Sequence, residues 1–351
     1  MSQPDKTDIA ADLTNAVKDI LGEISQERER EIISRRFGLY DRKETLERIG
    51  EMLGITRERV RQLEKAILVR LRQAASEGKI SSATAMEKLI TSKLSEMGRA
   101  ARIQDLTKNL LGRDGSQEER AHVAFIAELA PSITAINEND DFHQSAAIST
   151  IGDEKSVKSQ VADIVKFIKK HAEPITSEEM HASMEYEHPL NITALASLSK
   201  KLAELKGKWG LVKWPTVNPK NIRDKIFVIL EDKGKPMHFS SIAKAIKESD
   251  FKRKDVTTQA IHNELIKDKR FVLIGRGIYA LESWGYSRGT VADIIVEVLK
   301  KAGEPLHRDE IVKRVLKSRQ VKEPTGQGND YLAQSSKQAA VQAHCKGHLR
   351  L

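Results

Sequence analysis

A single cysteine, Cys345, stands in a chain of 351 residues, which excludes an intrachain disulfide and a cysteine-built metal cluster. Aromatic residues make up 5% of the chain, a share that favours small helical modules over one large sheet-based enzyme core. No run of about 18 apolar residues occurs, so the sequence offers no membrane-spanning helix. The N-terminal stretch carries Asp5, Asp8 and Asp12 and lacks the basic and apolar regions of a signal peptide, so a cytoplasmic chain is expected. Signatures of chemistry are scarce as well. Gly112-Arg-Asp-Gly115 lacks the Lys-Ser/Thr ending and the preceding strand of a phosphate-binding loop. No histidine pair stands at metal-ligand spacing with carboxylates. The expectation is a chain that is not an enzyme and takes no metal, no cofactor and no small-molecule substrate.

Three minor features have plain structural readings. His238 and His307 hold one repeat position just before a helix, which predicts capping or packing. Glu178 and Glu179 fall in a helix first turn, where the dipole favours carboxylates. Asn191-Ile-Thr193 fits a glycosylation pattern that a cytoplasmic chain does not use.

What is present is basic charge and helical periodicity. Lysine and arginine number 59 against 50 acidic residues, a net charge of +9, which points to an anionic partner, nucleic acid first. The length suggests two to four domains.

The sharpest pattern lies in residues 25–72. One helix is predicted from Gln26 to Phe37, stopping at Gly38, and a second from Thr45 to Leu53, with Leu46, Ile49 and Met52 or Leu53 on one face. Gly50 offers a small residue where two helices could cross closely. Gly54 breaks the chain and Thr56 is a good N-cap for a third helix, Thr56–Arg72. Two short helices joined by a tight glycine turn make the helix-turn-helix pattern. At 100° per residue from Arg57, the residues Glu58, Arg61, Gln62 and Lys65 share a 140° arc, with Val60, Leu63 and Ile67 opposite, facing the second helix. The outward side chains suit base edges: arginine for guanine, glutamate for cytosine N4, glutamine for adenine. Between Arg57 and Arg72 there are six basic and two acidic residues, enough to neutralise several phosphates.

The segments Ser25-Gln-Glu-Arg-Glu-Arg-Glu-Ile-Ile-Ser-Arg-Arg-Phe-Gly38, Thr45-Leu-Glu-Arg-Ile-Gly50 and Gly54-Ile-Thr-Arg-Glu-Arg-Val-Arg-Gln-Leu-Glu64 together resemble region 4 of the sigma-70 family. The resemblance implies recognition of a promoter −35 element in double-stranded DNA. It places Arg57, Glu58, Arg61 and Gln62 on bases, and Arg36, Thr45, Arg59 and Lys65 on phosphates. It further implies docking on the flap of the RNA polymerase β subunit, with the chain around Ile33, Phe37 and the end of the third helix as the expected surface. A full sigma factor places an aromatic-rich promoter-melting region ahead of region 4. About 24 residues precede the match here, without Phe, Tyr or Trp, and unstacking a melted strand needs aromatic platforms. The chain alone is therefore not expected to open a promoter.

The remainder reads as repeats. Residues 222–246 and 291–315 align without a gap, with eight of 25 positions identical, including Gly234/Gly303, Pro236/Pro305, His238/His307 and Ile242/Ile311. Another copy runs from Val161-Ala-Asp-Ile-Val165 to Ala172-Glu-Pro-Ile-Thr176 and ends in a short wing, Trp209-Gly-Leu-Val-Lys-Trp214. A more distant one runs from Met86 through Gly98 and Ile103 to Leu111. In the copy at 222, a third helix is predicted at Thr257–Lys267, then strands Phe271–Ile274 and Ile278–Leu281 joined by Gly275-Arg-Gly277. Three helices and a hairpin make a winged helix.

The expected fold is mainly α, a helix-turn-helix bundle followed by tandem small winged-helix modules. The boundaries read as a lead segment 1–22, a helix-turn-helix domain 23–80, a divergent winged-helix unit 85–150, a winged-helix unit 157–216, another at 220–285, and a partial copy 289–351. After Val321, Pro324-Thr-Gly-Gln-Gly-Asn-Asp330 and a Gln/Ala-rich tail replace the expected third helix and wing, as in a truncated or frameshifted copy.

Residues 221–285, with Pro236-Met-His-Phe239 and Gly275-Arg-Gly-Ile-Tyr-Ala-Leu281, resemble the HARE-HTH domain of the delta subunit of bacterial RNA polymerase, without that subunit's long acidic tail. Gln259 and Asn263, opposite Ile261, and Arg276 on the wing are candidate secondary DNA contacts; protein docking is the alternative use of such modules. Three functions follow. One is a sigma-like factor or polymerase accessory protein lacking a melting region, acting on the nucleoid. The others are a promoter-specific regulator independent of polymerase, and a winged-helix scaffold in a DNA-modification or repair complex.

Overall fold

The computed structural model describes residues 6–251, 255–286 and 291–303, with 306, 307, 310, 311 and 314. The expected degenerate tail and Cys345 lie outside the described residues. The chain divides into two compact units, 1–213 and 214–351.

The first unit begins with α1 (Lys6–Gly22), α2 (Glu27–Phe37), α3 (Leu46–Leu53) and α4 (Arg57–Ser76). Local chemistry sets their ends. Gly38 and Gly54 close α2 and α3 in the left-handed conformation, at φ 69° and 64°. Thr45 and Thr56 start α3 and α4 by accepting from the backbone N–H of Arg48 and Arg59, at 3.2 Å each, and such caps stabilise a helix by about 1 kcal/mol. A small core of Ile32, Ile49 and Val60, flanked by Leu46, Leu53, Ile55 and Leu63, holds α2, α3 and α4 together.

Two details differ from the sequence reading. Gly50 does not serve a helix crossing. A Cβ there would lie 2.6 Å from the Ile55 carbonyl oxygen, so the turn itself requires glycine. Ile67 does not join the small core either. It lies with Leu71 in a second, larger core, and that burial carries α4 on to Ser76.

The larger core comes from α1 and the first winged helix, built of α5 (Ser81–Glu96), β1 (Ala100–Arg102), α6 (Ile103–Leu111), α7 (Gln117–Leu129), β2 (Ile133–Ile136) and β3 (Ser145–Ile148). The segment 1–22, expected as a lead, forms α1 from Lys6 onward. Its Leu13, Ala16, Val17 and Ile20 are fully buried. Those positions recur at helical spacing, and the stripe is covered by α5, α6 and α7.

The second winged helix comprises α8 (Glu154–His171), β4 (Ile175–Thr176), α9 (Ser177–Ser183), α10 (Pro189–Ser197), β5 (Leu202–Leu205) and β6 (Lys208–Leu211). The third, in the second unit, comprises α11 (Ile222–Lys233), β7 (Met237–His238), α12 (Phe239–Glu248), α13 (Thr258–Lys267), β8 (Phe271–Gly275) and β9 (Ile278–Leu281). All three repeat one antiparallel topology, the last strand lying between the other two: β1-β3-β2, β4-β6-β5 and β7-β9-β8. α14 (Val291–Ala302) opens the fourth copy.

The repeat signature marks real turns. Gly234 and Gly303 end the first helices of their copies at φ 60° and 67°, and Ala172 takes the same place at φ 65°. His238 accepts from the backbone N–H of Ser240 at 3.3 Å and so caps α12, as its position predicts. Gly277 is needed in the wing because a Cβ there would meet the His238 ring at 2.6 Å. Glu179 completes a capping box with Thr176.

Candidate nucleic-acid interface

The outward face of α4 is assembled by the buried row of Val60, Ile67 and Leu71, which fixes the helix's rotation. Arg57, Glu58, Arg61 and Gln62 are all exposed, on the N-terminal turns where a recognition helix meets bases. Their side chains interact before any partner arrives. The Arg61 guanidinium donates to both Glu58 carboxylate oxygens, at 2.8 and 2.7 Å, and Gln62 donates to the same carboxylate at 3.3 Å. Chiefly through the Arg61 hydrogen bond, Glu58 is held down at about 2 and is therefore ionised, an acceptor only. Arg57 pairs across the turn with Glu47 at 2.8 Å. The face thus offers planar donor forks beside a carboxylate acceptor, the set that distinguishes base pairs in a major groove.

The four phosphate candidates are placed unequally. The Thr45 hydroxyl accepts from Arg48 N–H and keeps its own proton to donate outward. Arg59 is exposed, held only by a 3.4 Å contact to Gln62, and Lys65 is exposed. Arg36 is half-buried and paired with Glu64 of α4 at 3.1 Å, so it also braces α2 against α4. Sequence periodicity misses Glu47, Glu64 and Arg28, whose guanidinium donates to the Leu53 carbonyl at 2.7 Å. These contacts join different helices, and no spacing rule connects them.

The surface expected for the polymerase flap is closed around Ile33 and Phe37. Ile33 is fully buried, Phe37 packs on Phe125 of α7 with ring centroids 4.9 Å apart, and Leu71 lies in the same core. His122 of α7 bonds to the Leu39 carbonyl at 2.8 Å directly behind Gly38. The expectation that Ile33 and Phe37 meet another protein is therefore corrected, because the core shared with α7 takes them up; the end of α4 stays open, with Val69 54% exposed and Arg70 and Gln73 also exposed.

The same burial removes two helices from nucleic-acid reading. In a winged helix the third helix is the one that enters a groove. In the first copy that helix is α7, buried from His122 through Ala127. In the second it is α10, which packs on β1. A Cβ on Gly98 would come within 2.4 Å of the Leu190 carbonyl oxygen. In the third copy α13 buries Ile261 and Leu265 and exposes Gln259 and Asn263, 3.2 Å apart, while Arg276 is exposed at the wing tip. Among the described residues no group of His, Cys, Asp and Glu could hold a metal ion, and no helix is long and apolar enough to cross a membrane.

These features define the class, a helix-turn-helix protein carrying tandem winged helices. Residues 26–73 match the family Sigma-70, region 4. Over 63 residues the chain is 44% identical to the RNA polymerase sigma factor RpoD of Helicobacter pylori, covering 17% of this chain and 9% of that protein. Over 61 residues it is 44% identical to the RNA polymerase sigma factor SigA of a Bacillus species, covering 17% of this chain and 16% of that one. The chain thus spans less than a fifth of the length of these curated relatives. No solved structure matches it.

Proposed function

We propose that the chain binds double-stranded promoter DNA sequence-specifically, at a −35-like element, in bacterial transcription initiation, and acts in the cytoplasm on the nucleoid without enzymatic activity. The carrying observation is the outward row Arg57, Glu58, Arg61 and Gln62 on a helix whose opposite side is locked into its own domain. The family match over 26–73 supports the same reading. Arg57, Glu58, Arg61 and Gln62 contact bases, and Thr45, Arg59, Lys65 and Arg36 contact phosphates. Selection from a randomised duplex library tests it: a recovered consensus supports the reading, and uniform retention of all sequences overturns it.

Burial of Ile33 and Leu71, with Phe37 packed on Phe125, favours the form of this reading in which DNA binding needs no polymerase flap, a promoter-specific regulator over a sigma-like factor. Footprints that form fully without polymerase support that form. Stable co-elution with core polymerase returns the sigma-like one. For residues 220–285 the HARE-HTH assignment is retained as part of the proposal, with three helices and a Gly275–Gly277 wing in its favour. Gln259, Asn263 and Arg276 are its nucleic-acid contacts.

A further inference from the structure

A cleft opens in the first unit between the helix-turn-helix domain and the first winged helix. Gly38 and Lys43 line one side, and Arg102, Gln104, Arg120 and His143 line the other. We infer that this cleft holds a phosphate group of the DNA backbone, so that the first winged helix extends the duplex interface through the starts of α6 and α7 although the body of α7 is sealed. The inference rests on the promoter-binding reading above and adds to it a second contact region.

Charge is the first argument. Lys43 makes no ion pair, and Arg120 spends one N–H on the Ser116 carbonyl at 3.2 Å and pairs with no carboxylate. Arg102 shares its charge with Asp105 at 2.6 Å. Glu138, the only acidic residue lining the cleft, is taken by Lys200 at 2.7 Å. Two groups from separate elements are pushed toward their neutral forms, chiefly by burial and secondarily by neighbouring cations. Lys43 is pushed below its ordinary value by desolvation and then by the Arg36 guanidinium. His143 is pushed down by burial and then by Arg102 and Lys200, which keeps it a neutral hydrogen-bonding group. An anion in the cleft offsets the part of each shift that the cations cause.

Geometry supplies the ligand. Lys43 precedes Thr45 by two residues and lies in the field of Arg36, both phosphate contacts in the reading above. A duplex carries one phosphate per ~1.7 Å of axis, so a backbone held at Thr45 brings neighbouring phosphates to a cleft that begins beside it. The two walls are held in register by the Phe37–Phe125 contact and the His122–Leu39 hydrogen bond, so the cleft is preformed.

The test is the full-length double variant Lys43→Ala, Arg120→Ala beside the wild type, on a long duplex carrying the selected site. Both substitutions remove exposed or partly exposed side chains outside the two cores. A matching thermal melt verifies the fold, and the charge-reversed Arg120→Glu serves as a second variant. The slope of log affinity against log salt is expected to fall by about 0.9 for the double variant, the counterion term of the one phosphate the cleft holds. The nuclease footprint is expected to shorten on one flank while the base preference stays the same. An unchanged slope and footprint, with the wild type still selecting its sequence, overturns the cleft alone. A wild type that selects no sequence overturns the promoter reading and this inference with it. Titration of inorganic phosphate into the wild type but not the variant, with an unchanged footprint, assigns the cleft to a free anion and overturns the duplex assignment.

Discussion

His122 Nε2 lies 2.8 Å from the carbonyl oxygen of Leu39, and both residues are buried. A carbonyl only accepts, so Nε2 carries the proton and donates. The bond ties the third helix of a winged helix to the glycine stop of a helix-turn-helix, 83 residues away in the chain. It is one of the contacts that make two sequence modules into one body.

Replacing His122 with Leu leaves the Leu39 carbonyl buried without a donor, at a cost of about 1–3 kcal/mol. The loss is expected in urea denaturation followed through the first unit. An unchanged midpoint shows that water reaches the carbonyl and that the junction is looser than described.

Ala172 occupies the left-handed position that Gly234 and Gly303 hold in the other copies. A Cβ in that conformation costs about 1–2 kcal/mol. Ala172→Gly is therefore expected to stabilise the second winged helix by about 1 kcal/mol, after allowance for the greater freedom of glycine in the unfolded chain. A melting temperature that falls refutes the strain.

On DNA, Glu58 and Arg59 are expected to separate by kind of effect. Glu58→Ala removes an acceptor for a base edge and relaxes preference at one base pair roughly tenfold, leaving other positions alone. Arg59→Ala weakens all sequences alike and lowers the salt slope by about 0.9. Competition binding with single-base variants of the selected site reads both. Should Arg59→Ala alter base preference instead, the helix sits in the groove at a different rotation.

In the third winged helix, Arg270 donates to Asp268 at 2.7 Å and to Asp224 at 3.1 Å. The hydrogen bond from Arg270 holds Asp268 below its ordinary value in the folded state. The stability from this group is therefore fully present above the unfolded carboxylate value of about 3.9 and is lost as pH falls through the lower folded value. Asp268→Asn is expected to lower stability at neutral pH and to flatten the acid limb below about pH 4. Hydrogen exchange at α11 and α13 across that range checks it; an acid limb as steep as the wild type's removes Asp268 from the account.

Much of the helix-turn-helix was legible beforehand because its determinants are local. Gly38, Gly54, Thr45 and Thr56 act within a few residues, and the 100° step turns Val60 away from the arc of Glu58, Arg61 and Gln62 wherever the helix lies. The wing strands at 271–281 were legible for the same reason, since alternation and a Gly-Arg-Gly turn are short-range signals. Misreadings came where one apolar stripe had two conceivable covers. Ile67 carries no mark of which core it enters, and Ile33 and Phe37 read as a docking surface until α7 is seen lying on them. Segment 1–22 read as a lead because its partners begin at residue 81.

The order of amino acids by itself determined which residues become helix, where each helix ends, and which side of α4 is polar. These follow from backbone conformation, capping and a fixed 3.6-residue period. Only the tertiary structure decided what covers each apolar face. That choice depends on shape complementarity between segments far apart in the chain, and it left α4 and α13 open while closing α7 and α10.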